Sequence, residues 1–443
     1  MRKQEWIRAG TVGRFRAAAI GTIAAGVLLA SCDLGVTNPA LIEEEDLFVP
    51  GAVASIVNGA RYTWGMATTI QGAGGVYSVS AILTDELTHV GSWAPPREIS
   101  DGIPGNESPE NQSHWGFSSR ARWQAEHAIE NVKPLVDNPE SNPWVAVAKL
   151  YAGFSNRLLG DMFCDGTIDG GPLVAHTAFY ERGLDHLDRA IAVATASGVD
   201  SLRHAAYAGR AQIRIMMGDW AGAVEDAQRV PTDFAYVQTH SDNSSSEHNG
   251  VYNWAARADG QYSVWATPFA DWGLDVTGTL ATEGDPRASF IWRDEIGGGS
   301  PDRPFWYIDK YQSRNDDIAI VKGTEMRLIE AEARLRAGDI PGMLDKINEV
   351  RAHHGLDPAT AAGTDEAWQL LMKERGLELW LEGRRLPDLR RWAANADTRL
   401  HINTTAWRFG EEARPVYESD PFCLRVSTNE IFSNPHLWET PPT

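Results

Sequence analysis

Twice along this chain an amphipathic helix stops at Gly-Asp and a second amphipathic helix begins at once. Residues 207–217 read as the first helix, halting at Gly218-Asp219, and 220–230 follow with Trp220, Ala223, Val224 and Ala227 inward. Residues 327–337 halt in the same way at Gly338-Asp339, and 341–350 follow with Met343, Leu344 and Ile347 inward. The two copies align without gaps, 120 residues apart. A degenerate third pair is expected from residues 150–161 and 179–194. Each pair leaves an apolar face that only a neighbouring pair can cover, so the pairs must stack. Copies set this far apart require insertions between them. The expected fold is all-α, a scaffold of helical pairs carrying long irregular loop insertions.

Small residues at the turn between paired amphipathic helices resemble tetratricopeptide repeats. Outside the pairs, helices are expected at 48–64, 76–83, 120–136 and 144–159. Residues 93–115 read as loop, because Pro95, Pro96, Pro104, Gly105 and Pro109 interrupt any regular element. Residues 239–250 are a polar, low-complexity loop. Residues 251–306 are the least regular stretch and carry Tyr252, Trp254, Tyr262, Trp265, Phe269, Trp272, Trp292 and Trp306 amid Gly and Pro.

Residues 373–392, KERGLELWLEGRRLPDLRRW, pose the sharpest question of charge. Leu370, Leu377, Trp380 and Leu381 recur at helical spacing, and Glu374 shares their face, with Glu378 and Glu382 following at four-residue steps. An acid on an apolar stripe is costly unless it is paired. Arg375, Arg384 and Arg385 are the nearby partners, and Pro387 suits the first turn of a second short helix. A structural ion-pair cluster cross-linking helices is favoured over a catalytic carboxylate cluster, because buried ion pairs commonly organise packing. Glu374, Arg375, Glu378, Leu379, Glu382, Gly383, Arg385, Asp388, Leu389, Arg391 and Trp392 together resemble the C-terminal signature of SusD/RagB-type nutrient-uptake lipoproteins. Pro387 stands where that pattern carries an aromatic. Thr84-Asp85-Glu86 and the tail at 423–438, with Asn429-Glu430-Ile431 and Asn434-Pro435, fit the same family. The resemblance thus runs through most of the chain.

The amino end reads as a secretory leader. Arg2, Lys3, Arg8, Arg14 and Arg16 precede an apolar run at 17–29 that is too short for a comfortable membrane span. Leu29-Ala30-Ser31-Cys32 resembles a bacterial lipobox, which implies cleavage before Cys32 and lipidation of that cysteine. The domain organisation expected is a lipoprotein signal peptide at 1–31, a lipidated tether at 32–46 and a SusD-like helical-repeat domain at 47–443. Cys164 and Cys423 remain; they either form a disulfide or stay as two separate thiols, and spacing does not decide between these.

The formal charge is −20, and −24 once the net +4 of residues 1–31 is set aside. Such a body repels phosphate backbones, which argues against nucleic acid as a partner. No nucleophile elbow, H-E-x-x-H or C-x-x-C is present, and residues 71–75, although glycine-rich, lack a nucleotide-loop pattern. Asp165, Thr167, Asp169 and Gly170 mimic the opening of a calcium loop, but His176 stands where a bidentate Glu belongs. His353 and His354 are adjacent and point apart on a helix. No catalytic residue, metal or cofactor is expected.

Tryptophan is the functional signal, at 17 of 443 residues. Sugar rings have apolar faces that stack on indole, while their hydroxyls need polar neighbours. Trp93, Trp115, Trp254, Trp265 and Trp306 lie in irregular segments and are the candidate ligand-binding residues; Trp220, Trp368, Trp380 and Trp392 sit on helical stripes and belong to the core. The resemblance implies a lipid-anchored outer-membrane protein that faces the cell exterior. It further implies capture of a glycan or other oligomeric nutrient and its delivery to a TonB-dependent, SusC-like barrel. Two other classes stay open on sequence: a lipid-anchored helical-repeat scaffold for protein–protein interaction, and a lipoprotein hydrolase.

Overall fold

In α1 (Val53–Gly65), Val57, Ala60 and Trp64 recur at three- and four-residue spacing, and all three are fully buried. The computed structural model describes residues 48–101, 108–257, 260–280, 283–293, 303–399, 408–409, 412–413 and 423–438. The residues expected to form the leader and the tether, Cys32 among them, lie outside the described residues. A π-helical stretch, Met66–Ile70, leads into α2 (Gln71–Leu83), whose regular turns start at Val76 because residues 72–75 take positive φ.

The scaffold continues through α3 (Pro109–Val132), α4 (Pro143–Met162), α5 (His176–Ser197), α6 (Asp200–Met216) and α7 (Trp220–Ala227). It is completed by α8 (Gly323–Arg336), α9 (Ile340–His353), α10 (Thr364–Glu378) and α11 (Arg385–Ala393). From α3 to α10 each helix packs on the next, α11 packs on α2 and α4, and α4 lies deepest, buried at every residue from Val145 to Met162. Its glycines permit close approach: a Cβ on Gly153 would sit 2.5 Å from Leu187 of α5, and one on Gly160 equally close to the Tyr180 ring. The two Gly-Asp stops use one device. Gly218 (φ +77°) and Gly338 (φ +78°) turn the chain left-handed. Asp219 and Asp339 then cap the next helix, accepting from the Gly222 and Gly342 N–H groups at 3.0 and 2.9 Å.

Strands are short. β1 (Thr88–His89) pairs antiparallel with β5 (Tyr262–Ser263), in register Thr88 with Ser263 and His89 with Tyr262. β2 (Asp165–Thr167) and β3 (Leu173–Ala175) make a hairpin, and β4 (Ala235–Gln238) pairs with β9 (Ile318–Lys322). β6 (Gly273–Asp275) runs parallel to β7 (Asp285–Ile291), which pairs antiparallel with β8 (Tyr307–Ile308). Most of these strands lie between α7 and α8, in the irregular insertion.

The expected loop at 93–115 is instead partly helical. A short helix, Ala94–Ser100, holds Pro95 and Pro96 in its first turn, and Pro109 opens α3, which contains Trp115 and Phe117. Proline lacks an N–H, but a first turn has no intrahelical use for one, so these prolines start helices instead of breaking them.

α10 ends at Glu378, although the apolar spacing continues through Trp380 and Leu381. Leu381, at φ +60°, donates its N–H to Glu86 Oε1 at 2.7 Å. Gly383, at φ +69°, passes so close to Tyr77 that a Cβ would lie 2.3 Å from the ring. The resulting turn separates the acids of α10 from the arginines beyond it. Arg375 clasps Asp388 with two bonds of 2.8 Å, and Arg384 reaches Asp161 at 2.6 Å and Glu325 at 3.2 Å. Arg385 clasps Asp85, and Arg391 bridges Glu332 and Asp388. Glu374, Glu378 and Glu382 do not pair with Arg375, Arg384 or Arg385, the partners nearest in sequence. Glu374 takes Arg287 and Arg351 at 2.7 and 2.6 Å, Glu378 takes Lys322 and His354, and Glu382 takes Lys310 and Lys322. The segment thus ties α4, α8, α9 and the 84–86 turn together.

Burial raises the Asp388 carboxyl, but Arg375 and Arg391 overcome this and hold it at about 2. Burial opposes the Glu378 charge as well, and Lys322, with His354 and Thr324, keeps it well below the usual carboxylate range. Glu86 differs: burial pushes it up to about 8, despite the Leu381 N–H, so it is largely protonated at neutral pH.

Cys164 and Cys423 form a disulfide, with Cα atoms 5.1 Å apart. It lies beside a parallel bridge in which Cys164 N–H donates to Leu424 and Leu424 N–H to Met162. This closes the alternative left open by the spacing and pins the tail to the end of α4.

Candidate functional site

Strand β5 has two residues, and each organises tryptophans. Tyr262 is fully buried and donates its hydroxyl to the Ala73 carbonyl at 3.1 Å. Its ring stacks on Trp254 at 5.5 Å, and Trp254 stacks on Trp93 at 5.6 Å, with interplanar angles of 24° and 23°. These spacings suit offset stacking. The three rings form a ladder from core to solvent: Tyr262 buried, Trp254 half-buried and Trp93 38% exposed. Ser263 supplies the second hub. Its hydroxyl donates to the Pro304 carbonyl at 2.9 Å and accepts the N–H groups of Trp265 at 3.1 Å and Trp306 at 2.9 Å. Trp306 stacks on Phe290 at 6.0 Å and is half-buried, as is Trp265.

The glycine-rich turn at 72–75 lets this ledge form. A Cβ on Gly74 would meet Trp254 Cδ1 at 2.9 Å, and one on Gly250 would overlap the Thr69 carbonyl at 1.8 Å. The short helix Gly250–Ala255, which carries Trp254, can therefore lie against the turn; Asn249 caps it by accepting the Tyr252 N–H. Trp93 sits at the N-cap of Ala94–Ser100. Polar groups flank the β1–β5 pair. Arg97 donates to the Gly91 carbonyl, Arg303 to the His89 carbonyl, and Gln261 pairs with the His89 ring at 3.1 Å. Burial pushes His89 down to about 4, with Arg97 and Arg303 adding to the fall and Gln261 opposing it, so the ring is neutral at physiological pH.

Four of the five nominated tryptophans therefore meet around β5. Trp115 does not. It is buried in α3, packed edge-on against Phe163, and its indole N–H points to Glu430 Oε2 at 3.4 Å. No open face remains for a ligand, so the nomination is corrected: Trp115 is a core residue, misplaced because Pro109 was read as a breaker. Trp368, Trp380 and Trp392 are buried, whereas Trp220 is half-buried under the guanidinium groups of Arg336 and Arg391. Tyr62, Trp123, Phe432 and Trp438 are exposed aromatics outside the nominated set, and of these Trp123 lines a cleft. Trp123, 44% exposed, stacks on His127 at 3.9 Å and shares this cleft, of about 310 Å³, with Arg120, Asp169 and Glu430. Its helical context hid it, although i, i+4 spacing from His127 was a usable signal.

The calcium-like run is the β2–β3 hairpin. Asp169 there is bonded to Arg122 at 2.7 Å, and Thr167 donates to Glu430 at 2.6 Å. Among the described residues, no group of three or more His, Cys, Asp or Glu side chains is placed to hold a metal ion. His354 instead pairs with Glu378 at 2.8 Å.

Comparison with known proteins bears on this arrangement. Residues 305–441 match the model of the SusD family. The fold matches that of a SusD-like carbohydrate-binding protein from Bacteroides fragilis with a TM-score of 0.68, at 14% identity, over 88% of this chain and all of the other. The fold is SusD-like, and the family's own sequence pattern covers residues 305–441. A SusD superfamily protein from Parabacteroides distasonis matches this SusD-like chain with a TM-score of 0.64, at 13% identity, over 87% of this chain and 98% of that one. A SusD-like carbohydrate-binding protein from Bacteroides vulgatus matches with a TM-score of 0.62, at 14% identity, over 89% and 98%. At these identities the likeness establishes the helical-repeat fold and not the ligand. No curated protein matches the sequence. Among the described residues, no helix is long and apolar enough to cross a membrane.

Proposed function

We propose that this SusD-like chain is a cell-surface lipoprotein that binds a glycan or other oligomeric nutrient on the Trp93–Trp254 ledge. It delivers that nutrient to a TonB-dependent, SusC-like outer-membrane barrel. The observation that carries this reading is the ladder itself: a stack anchored at buried Tyr262 ends in an indole open to solvent. Packing does not require the outermost ring to face water. A preformed aromatic step of this kind suits the apolar face of a sugar ring. No bond is made or broken; the chain acts by capture and handover, held to the outer membrane by acyl chains on Cys32.

The purified protein should bind an oligosaccharide from a broad panel, and substitution of Trp93 should weaken that binding. In native membranes it should copurify with a barrel. Failure of both, with the chain folded, would overturn the reading and favour a scaffold that binds protein.

A further inference from the structure

α4 carries one lysine, and it lies within the most deeply buried helix of the fold. Lys149 is 3% exposed, yet it makes no hydrogen bond or ion pair among the described residues. It lines a cavity of about 280 Å³ between α3, α4 and α5, with Lys133, Arg182, His186, Arg189, Glu126 and Glu130. The other charges here are answered. Arg182 and His186 meet Glu126 at 2.8 and 3.2 Å, Arg189 meets Asp185 at 2.9 Å, and Lys133 meets Glu130 at 3.6 Å. Lys149 is not. Burial disfavours its charge first, Lys133 and Arg189 disfavour it further, and Glu140 and Asp185 offset this only in part, from beyond ion-pair distance.

A lysine stem often covers apolar surface while its head reaches water. Here the head opens into a concave site lined by Lys133, Lys149, Arg182 and Arg189 against the two carboxylates Glu126 and Glu130, on a chain of net charge −20. Like charges gathered around an unpaired ammonium are stabilised by an anion placed among them. We propose that this cavity is a binding site for a compact oxyanion, a carboxylate or sulfate group, with Lys149 as the answering charge and Lys133 and Arg189 at its rim. The site is separate from the aromatic ledge, so it stands or falls independently of the ligand proposed there.

The test is calorimetric titration of the purified mature chain, in mild detergent at low salt, with glucuronate, sodium sulfate and glucose. Saturable binding of glucuronate or sulfate is expected, with none of glucose. Glucuronate binding that sulfate does not displace assigns a carboxylate on a sugar-sized body; sulfate competing fully assigns a free oxyanion. Lys149→Met should weaken anion binding by about tenfold or more, and Lys149→Arg should restore most of it, since the charge and not the stem is at issue. Lys149→Met removes an unpaired charge, so its melting temperature should equal or exceed that of wild type. The rim variant Arg189→Gln should weaken binding about twofold or more without unfolding the chain. The proposal is overturned if neither anion binds, if glucose binds as well as glucuronate, or if Lys149→Met binds as wild type does.

Discussion

The helical stack and the β5 ledge handle polar and apolar groups in opposite ways. In the stack, the arginines of the C-terminal segment go inside and are answered: Arg375, Arg384, Arg385 and Arg391 each meet a buried acid from another turn or helix. Around β5, an aromatic ring goes outside: Trp93 ends a stack that packing alone would have covered. Unpaired charge is what burial penalises most, so the stack depends on pairing for stability. An exposed indole contributes little to stability and leaves an apolar face to an incoming solute. Substitutions in the stack should therefore cost folding, and substitutions at the end of the ladder should cost binding.

The largest effect is expected at the Arg385–Asp85 pair. Asp85→Ala leaves a buried guanidinium without its partner and should destabilise by about 3–5 kcal/mol in chemical denaturation. Joint replacement of the pair by apolar residues of similar size should recover most of the loss. Next comes the disulfide: replacing Cys164 and Cys423 together by Ala should cost about 2–5 kcal/mol, read from the denaturation midpoint with and without reductant. A loss confined to the tail, with the rest of the melt unchanged, would show that the bond tethers 423–438 and does not brace α4.

The third effect is a pH dependence of two signs. Asp388 and Glu378 have folded pKa values below the unfolded ones, so their contribution is present above about pH 4 and is lost as pH falls towards 2. Glu86 runs the other way. Its folded value of about 8 exceeds the ordinary 4.5, so its contribution is full below pH 4.5 and disappears as pH rises through 8. Glu86→Gln keeps an acceptor for the Leu381 N–H and should remove that alkaline slope. At pH 9 it should melt about 2–4 °C above wild type. An unchanged slope would place the titration elsewhere.

The smallest effect on stability is expected at the ladder's outer step. Trp93→Ala should change the unfolding free energy by less than about 1 kcal/mol, since its ring is partly in water already. Tyr262→Ala should cost about 3–5 kcal/mol, because that ring is fully buried. A Trp93 loss as large as the Tyr262 loss would erase the contrast between the two ends of the ladder.

The same contrast marks what could be read from the sequence. The paired helices were legible, because a period of 3.6 and a Gly-Asp stop leave a strong local trace and need no distant partner. The acid and arginine positions at 373–392 were legible as buried charges, but not their partners, since Arg287, Lys322 and Asp161 lie on other elements. Four ledge tryptophans were visible as aromatics in irregular sequence. Trp115 was misjudged because the prolines around it were taken to end helices when they begin them. The hubs were not legible at all: a two-residue strand such as Tyr262–Ser263 has no periodicity, and its role comes from pairing with residues far along the chain. Nothing in the sequence marks out Lys149, since a lone lysine in an apolar helix commonly reaches water.

The most direct measurement is a binding titration of the purified protein and its Trp93→Ala variant against whichever panel oligosaccharide binds wild type most tightly, alongside a thermal melt of both. The account predicts an affinity lower by about tenfold or more in the variant, with superimposable melts. Equal affinities, or no oligosaccharide bound by folded wild type, would contradict it.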